Sequence, residues 1–264
     1  MSDHHEEILN YWDASIYEQQ ETYHHDVDLL LSLLPKTPQR ILDVACGAGR
    51  MTLPLAQAGH YVHGFDVSTH MLSRLQAHLA TGQYPTASAV LADGMTTDWG
   101  EDYDVVLLSA NLLVNLITSG EDYTAAQRLF IRKAADALRP CGHLFLAFDC
   151  VDWPDTKFED GTPWVCFDGT DDAGTYGKYI VGRESFDSVT RICIGERIWE
   201  LTTKDGETFS VTRTSTKHFP TWETVKAWLN ECSLTVERVW CDGEPAADGR
   251  PGTEIMAWVR KTTA

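Results

Sequence analysis

Two carboxylates stand at telling distances from one glycine turn. Asp43 precedes the turn Ala45-Cys46-Gly47-Ala48-Gly49, and Asp66 lies 19 residues after Gly47. Glycine has no Cβ, so the backbone at Gly47 and Gly49 permits close approach of a ligand. An acid about 20 residues beyond such a turn can accept the hydroxyls of a ribose. The arrangement therefore points to a ligand that contains adenosine. A dinucleotide fits poorly, because the third glycine of G-x-G-x-x-G would fall at Thr52 and Arg50-Met51 crowds a helix start that a pyrophosphate needs open. An acid at position 43 suits a cationic amino group better than phosphates. The ligand that combines ribose hydroxyls, an amino acid and no phosphate is S-adenosylmethionine.

These residues need a scaffold, and the hydrophobic pattern supplies one. Residues 6–34 read as one or two helices ended by Pro35, with Val27, Leu30, Leu31 and Leu34 at helical spacing. Strands are predicted at 40–45, 61–65, 87–92, 103–109 and 143–148, and helices at 50–58, after Ser68, and at 121–138, with a turn at 139–142. Near-continuous apolar strands alternating with helices predict an α/β class, a doubly wound and mostly parallel sheet covered on both faces. After Asp149 the pattern changes. Two strand-like runs joined by Lys204-Asp205-Gly206-Glu207 predict a hairpin, so residues 150–219 read as an antiparallel β insertion. A helix at 221–232 and strands at 234–240 and 253–261 follow; the 241–252 loop is too short for a crossover, so the last pair should be antiparallel. The expected organisation is a helical cap at 1–37, a core at 38–149 and 220–264, and an insertion at 150–219 acting as a lid over the acceptor.

The stretch "LDVACGAGRMTLPLAQAGHYVHGFDVSTHMLSRL" resembles the cofactor motif of class I S-adenosylmethionine-dependent methyltransferases, and "LADGMT", "DVVLLSANLLVNL" and "ALRPCGHLFLAF" resemble that family's later motifs. The resemblance covers residues 38–149 and, in topology, the last 45. It implies a seven-stranded Rossmann-like sheet. By position it implies that Asp43, Ala45, Gly47 and Gly49 surround the methionine part, Asp66 binds the ribose, and Val67, Met71, Asp93, Gly94 and Met95 frame the adenine. Ser109 and Asn111 would lie near the reacting methyl. Ala45 departs from the glycine that many members carry.

Methyl transfer is an in-line displacement, for which alignment and exclusion of water do much of the work. A neutral amine needs little more, whereas a hydroxyl needs a base or a metal. Asn111 and Asn115 can orient an acceptor but cannot ionise, which leans toward nitrogen. The segment "NYWDASIYEQQ" loosely resembles the Tyr-rich first helix of glycine and aminosugar N-methyltransferases. Tyr11 would then face the reaction centre and Tyr17 the cofactor, since aromatic faces attract a sulfonium; helix packing accounts for both equally well. In the insertion, "DWPDTKFEDGTPWVCFDG" would suit a cationic amine, Arg183 or Arg213 would hold a substrate carboxylate, and His218 is the candidate base for oxygen. The expectation is a methyltransferase of a small-molecule amine. O-methylation of a hydroxylated or carboxylated metabolite, or a non-catalytic cofactor-binding role, remain alternatives.

Composition sets the remaining bounds. The chain has 264 residues, 43% hydrophobic and 23% charged, an ordinary globular balance. Its formal charge of −18 and thinly spread Lys and Arg argue against a nucleic-acid partner. Seven cysteines, with no Cys-x-x-Cys pair, fit free thiols and no metal site. No apolar run reaches the roughly 20 residues of a membrane span and no signal peptide is evident. The expected setting is cytoplasmic, without membrane contact, as a monomer or homodimer.

Overall fold

A computed structural model describes residues 2–118, 122–151, 162–250 and 252–262. The described chain forms two compact units: 24–151 with 218–262, and 2–23 with 162–217.

The larger unit is built on one eight-stranded sheet in the order β11-β10-β12-β5-β4-β1-β2-β3. The strands are β1 (Arg40–Val44), β2 (Tyr61–Asp66), β3 (Ala87–Leu91), β4 (Tyr103–Leu108), β5 (Leu138–Cys150), β10 (Leu234–Cys241), β11 (Glu244–Ala246) and β12 (Thr253–Lys261). Strands β1 to β5 are parallel, and β12 then runs antiparallel to both β5 and β10. Period-two burial explains the layering. Ile41, Val105, Leu107, Phe145 and Ala147 join one core cluster, and their chain neighbours Leu42, Val106, Leu108, Leu144 and Leu146 are buried too. Alternate residues point to opposite faces, so both faces are covered, as continuous apolar strands require. On the first face α2 (His25–Leu33) supplies Val27 and Leu30, while α3 (Thr52–Gln57) supplies Leu55. Helices α4 (Thr69–Ala80), α5 (Leu112–Asn115), α6 (Ala125–Ala137) and α7 (Trp222–Glu231) complete the unit.

Three details differ from the sequence expectation. The sheet has eight strands, because the 241–252 loop folds back as the short edge strand β11, paired antiparallel with β10. The expected turn at 139–142 lies inside β5, which begins at Leu138 and takes up the irregularity with a register shift and a left-handed Cys141. The expected 1–37 cap divides: α1 (Asp3–Gln20) belongs to the smaller unit and α2 to the larger.

The smaller unit packs α1 on a four-stranded sheet, β6 (Trp164–Thr170), β7 (Tyr176–Asp187), β8 (Ile192–Thr202) and β9 (Thr208–His218), in that order. The expected hairpin at 204–207 joins β8 to β9, closed by the Thr203 N–H to Glu207 carbonyl bond of 2.8 Å. Leu9, Trp12 and Ile16 recur at helical spacing and pack with Trp199, Leu201 and Val211. Trp12 is wholly buried and its Nε1 donates to the Gly169 carbonyl at 3.1 Å. Gly177 makes room for it: a Cβ there would lie 2.5 Å from the indole. Among the described residues no helix is long and apolar enough to cross a membrane.

Trp12→Ala should destabilise the smaller unit by about 3–5 kcal/mol, the usual cost of emptying a large aromatic site. Urea unfolding followed by tryptophan fluorescence would measure it; a loss below about 1 kcal/mol would contradict a core role for this residue.

Candidate functional site

In an open α/β sheet, ligands bind beyond the carboxyl ends of the strands. That edge of the larger unit holds the residues singled out above. After β1 the chain turns through Ala45 (φ 58°), Gly47 (φ 54°) and Gly49 (φ 96°). Left-handed backbone costs an L-residue roughly 1–2 kcal/mol, so Ala45, where glycine is the common choice, carries some of that strain. Gly49 also has no space: a Cβ would fall 2.6 Å from Leu75 Cδ1.

Asp66 ends β2 and is 8% exposed. Its Oδ2 accepts the Gly47 N–H at 2.8 Å and its Oδ1 accepts the Ser68 N–H at 2.7 Å. Each carboxylate oxygen retains a lone pair for a hydroxyl. Ser68 in turn caps α4 by accepting from the Met71 N–H at 3.3 Å, and the Met71 Cε stands against Gly47, 3.2 Å from where a Cβ would be. Val67 is 73% exposed, an open apolar face beside that carboxylate.

Asp43 is 1% exposed, and its Oδ2 accepts the Thr52 hydroxyl at 2.6 Å. Burial pushes its carboxyl up to about 6, opposed by the Thr52 hydrogen bond and the Arg50 guanidinium. Arg50 itself is clamped by the buried Asp26 of α2 through two 2.7 Å bonds. The two residues that spoke against a dinucleotide thus have structural duties: Thr52 orients Asp43, and Arg50 ties the turn to α2. Cys46, beside them, has its thiol pushed up by burial and by the Asp43 and Asp66 charges, which leaves it no nucleophile at neutral pH.

Beyond β3, Asp93 is exposed and its Oδ1 accepts the Met95 N–H at 2.8 Å. Gly94 packs its α-carbon against aromatic rings, since a Cβ would meet Phe130 at 2.8 Å and Phe65 at 3.2 Å. At the end of β4, Ser109 is buried, and Ala110 and Asn111 are both left-handed (φ 53° and 59°). Asn111 forms a reciprocal pair with Asp149 at the end of β5: its Oδ1 accepts the Asp149 N–H at 2.7 Å and its Nδ2 donates to Asp149 Oδ2 at 3.0 Å. Asn115 donates to the Asn111 carbonyl at 2.9 Å. His218 is 4% exposed, with Nδ1 2.7 Å from Gln127 Oε1. Because the Gln127 amide NH₂ donates to the Leu113 and His218 carbonyls at 2.9 and 3.3 Å, Nδ1 of His218 is the donor of that pair.

The other expected residues lie in the smaller unit. Tyr11 is exposed and its hydroxyl donates to Asp172 at 2.6 Å, and Tyr17 is half-buried. Arg213 pairs with Glu6 and lies over the Trp199 ring, so its charge is engaged within that unit; Arg183 is exposed on β7. Of the acid- and tryptophan-rich stretch at 152–169, residues 152–161 lie outside the described residues. Sequence reasoning missed Asp26, Gln127, Lys133 and Asp149. Their partners are 24, 91, 36–39 and 38 positions away, and no local pattern announces such pairs.

Residues 41–142 match the family described as Methyltransferase domain. Over those residues the chain is similar to that family. Its fold is that of solved S-adenosylmethionine-dependent methyltransferases. One from Clostridium acetobutylicum superposes with a TM-score of 0.72 at 12% identity, covering 99% of this chain and 100% of that one. The CcbJ methyltransferase from Streptomyces caelestis gives 0.71 at 19% identity, over 96% and 98%. The sugar N-methyltransferase KedS8 from Streptoalloteichus sp. gives 0.68 at 17%, over 94% and 91%. By sequence, the domain is 34% identical over 109 residues to a ubiquinone biosynthesis O-methyltransferase of Chelativorans sp., covering 41% of this chain and 39% of that protein. The chain thus spans about two fifths of the length of the curated relatives it matches.

The raised Asp43 carboxyl has a pH signature. The folded chain holds this proton more tightly than the unfolded chain, so the contribution to stability is fully present below the ordinary value of 3.8. It is lost as pH rises through about 6. Asp43→Asn should therefore flatten the fall in stability between about pH 4 and pH 6, a slope of up to about 1.4 kcal/mol per pH unit. Differential scanning calorimetry of both proteins would check it; parallel profiles would show that Asp43 does not titrate there.

Proposed function

We propose that this protein transfers the methyl group of S-adenosylmethionine to a small-molecule acceptor, and that the acceptor atom is an amine nitrogen. The observation that carries the donor assignment is the Asp66 carboxylate, oriented by two backbone N–H groups beside the glycine turn. A ribose offers two hydroxyls to such an acceptor. The turn's left-handed backbone at Gly47 leaves an open cradle, and Asp43, one strand away, suits the ammonium of an amino acid. Asp93 lies one strand further along the same edge, where a carboxylate can accept from the amino group of an attached adenine.

S-Adenosylmethionine supplies a methyl carbon made electrophilic by its sulfonium. The chain's own residues bind and orient. Asp66, Met71 and Val67 would fix the nucleoside, and the turn after β1 would fix the methionine part. The reacting end would then lie toward β4 and β5, where Asn111 and Asp149 form a rigid polar rim. Near-attack geometry is the main requirement for an amine.

The nitrogen reading is supported by the state of the candidate base. His218 is buried and committed to Gln127, which suits a structural imidazole better than a proton acceptor for a hydroxyl. It also agrees with the sugar N-methyltransferase among proteins of the same fold over nearly the whole chain. O-methyl transfer is the second reading, favoured by the names of the curated relatives.

Thermal-shift titration tests the donor. At 100 times Kd, S-adenosylhomocysteine should stabilise the protein by about 2.7 kcal/mol, and Asp66→Ala should abolish most of that shift; absence of any shift in the unmodified protein would end the proposal. For the acceptor, a panel of amines, phenols and carboxylic acids would be offered with labelled donor. Label on amines, retained in His218→Ala, supports nitrogen. Label on hydroxyls that disappears in His218→Ala selects the second reading, and a blank panel despite binding favours a non-catalytic role.

A further inference from the structure

The segment after β3 is held from behind by one lysine. Lys133 of α6 is half-buried, and its ammonium donates to the carbonyls of Gly94 (2.9 Å), Met95 (3.4 Å) and Thr97 (2.6 Å). An ammonium has three N–H donors, and here each meets a main-chain carbonyl. Its Nζ lies over the Trp99 ring, 5.4 Å from the centroid. Trp99 in turn donates from Nε1 to the Gly94 carbonyl at 3.0 Å and stands edge-on to Phe130 of the same helix. Two donors thus converge on the Gly94 oxygen and fix that peptide.

The consequence lies on the opposite side of the peptide. Gly94 C=O and Met95 N–H belong to one planar unit and point in opposite directions. With the carbonyl drawn toward α6, the Met95 N–H is turned to Asp93, whose Oδ1 accepts it at 2.8 Å. Asp93 is exposed, so its carboxylate direction depends on the hydrogen bond it accepts from this N–H. Its orientation is set by this N–H, and the N–H by the two donors on the Gly94 carbonyl, Lys133 and Trp99.

We infer that Lys133 is a positioning residue for base recognition: through the Gly94–Met95 peptide it aims the Asp93 carboxylate at the exocyclic amino group of the donor's adenine. The inference rests on the methyl-donor reading above. Lys133 touches neither the base nor the reacting atoms. Its effect should appear in cofactor affinity and purine selectivity, and kcat should be untouched.

The test compares binding of S-adenosylhomocysteine and its inosine analogue, which replaces the adenine amino group by oxygen, by calorimetry with wild type, Lys133→Met, Lys133→Arg and Asp93→Asn. Lys133→Met keeps an apolar stem and removes the three donors. It should weaken S-adenosylhomocysteine about tenfold and the inosine analogue less than about twofold, with kcat at saturating donor within about twofold of wild type. Lys133→Arg should recover most of the affinity. In the Asp93→Asn background the Lys133→Met change should add almost nothing, because both act through one interaction. Equal losses for both ligands, or additive losses in the double variant, would overturn the inference even if Lys133→Met is less stable. So would an affinity unchanged by Lys133→Met. Failure of the unmodified protein to bind S-adenosylhomocysteine would instead overturn the donor reading and take this inference with it.

Discussion

The Asp66 carboxylate organises the ligand edge. Its two oxygens hold two backbone amides that belong to different elements: Gly47 in the turn after β1 and Ser68 at the start of α4. A charge-assisted hydrogen bond of this kind is roughly twice as strong as a neutral one. The closed path from Asp66 through Ser68 and Met71 back to Gly47 leaves the turn little freedom. Gly64 completes the constraint, because a Cβ there would meet Cys46 at 2.8 Å. Any larger residue would force apart β1 and β2. A carboxylate oriented by two backbone amides is held in one direction before any ligand arrives, which would lower the entropy lost on binding.

Beneath this edge the protein accepts buried charge. Asp43, Asp26 and Arg50 lie close together, and desolvating them is unfavourable unless each finds a partner. Asp26 and Arg50 satisfy each other in bidentate geometry, and Thr52 provides for one oxygen of Asp43. Glu254, opposite Asp149 across the β12–β5 pairing, is pushed up to about 7 by burial and by the Asp149 and Asp26 charges. A concentration of perturbed carboxyls at one strand edge is the usual mark of a functional site. Stability alone would favour apolar residues at such positions.

The two units rest on different physical terms. In the larger, parallel strands covered on both faces contribute a continuous core, and polar chemistry is confined to the strand ends. In the smaller, a two-layer packing of one amphipathic helix on one face of an antiparallel sheet is sufficient, with Trp12, Trp199 and Tyr179 filling the interface. The family match covers 41–142, within the larger unit, while likeness to solved structures extends over nearly the whole chain. An antiparallel sheet asks for alternation and turns more than for particular residues. Its fold can therefore recur where the sequence offers little to compare.

Much of this protein was determined by order along the chain. The five parallel strands, the glycine turn, the 204–207 hairpin and the antiparallel final pair all follow from local periodicity and turn chemistry, which act over a few residues. What only the tertiary structure decided were the partnerships. Arg213 pairs with Glu6, His218 with Gln127, and Tyr11 with Asp172. Lys133 carried no signal at all until α6 was laid beside the 94–97 segment. A side chain's chemistry is written in its type, but its role depends on which distant group reaches it first. That contact is set by the packing of whole elements, and no spacing rule encodes it.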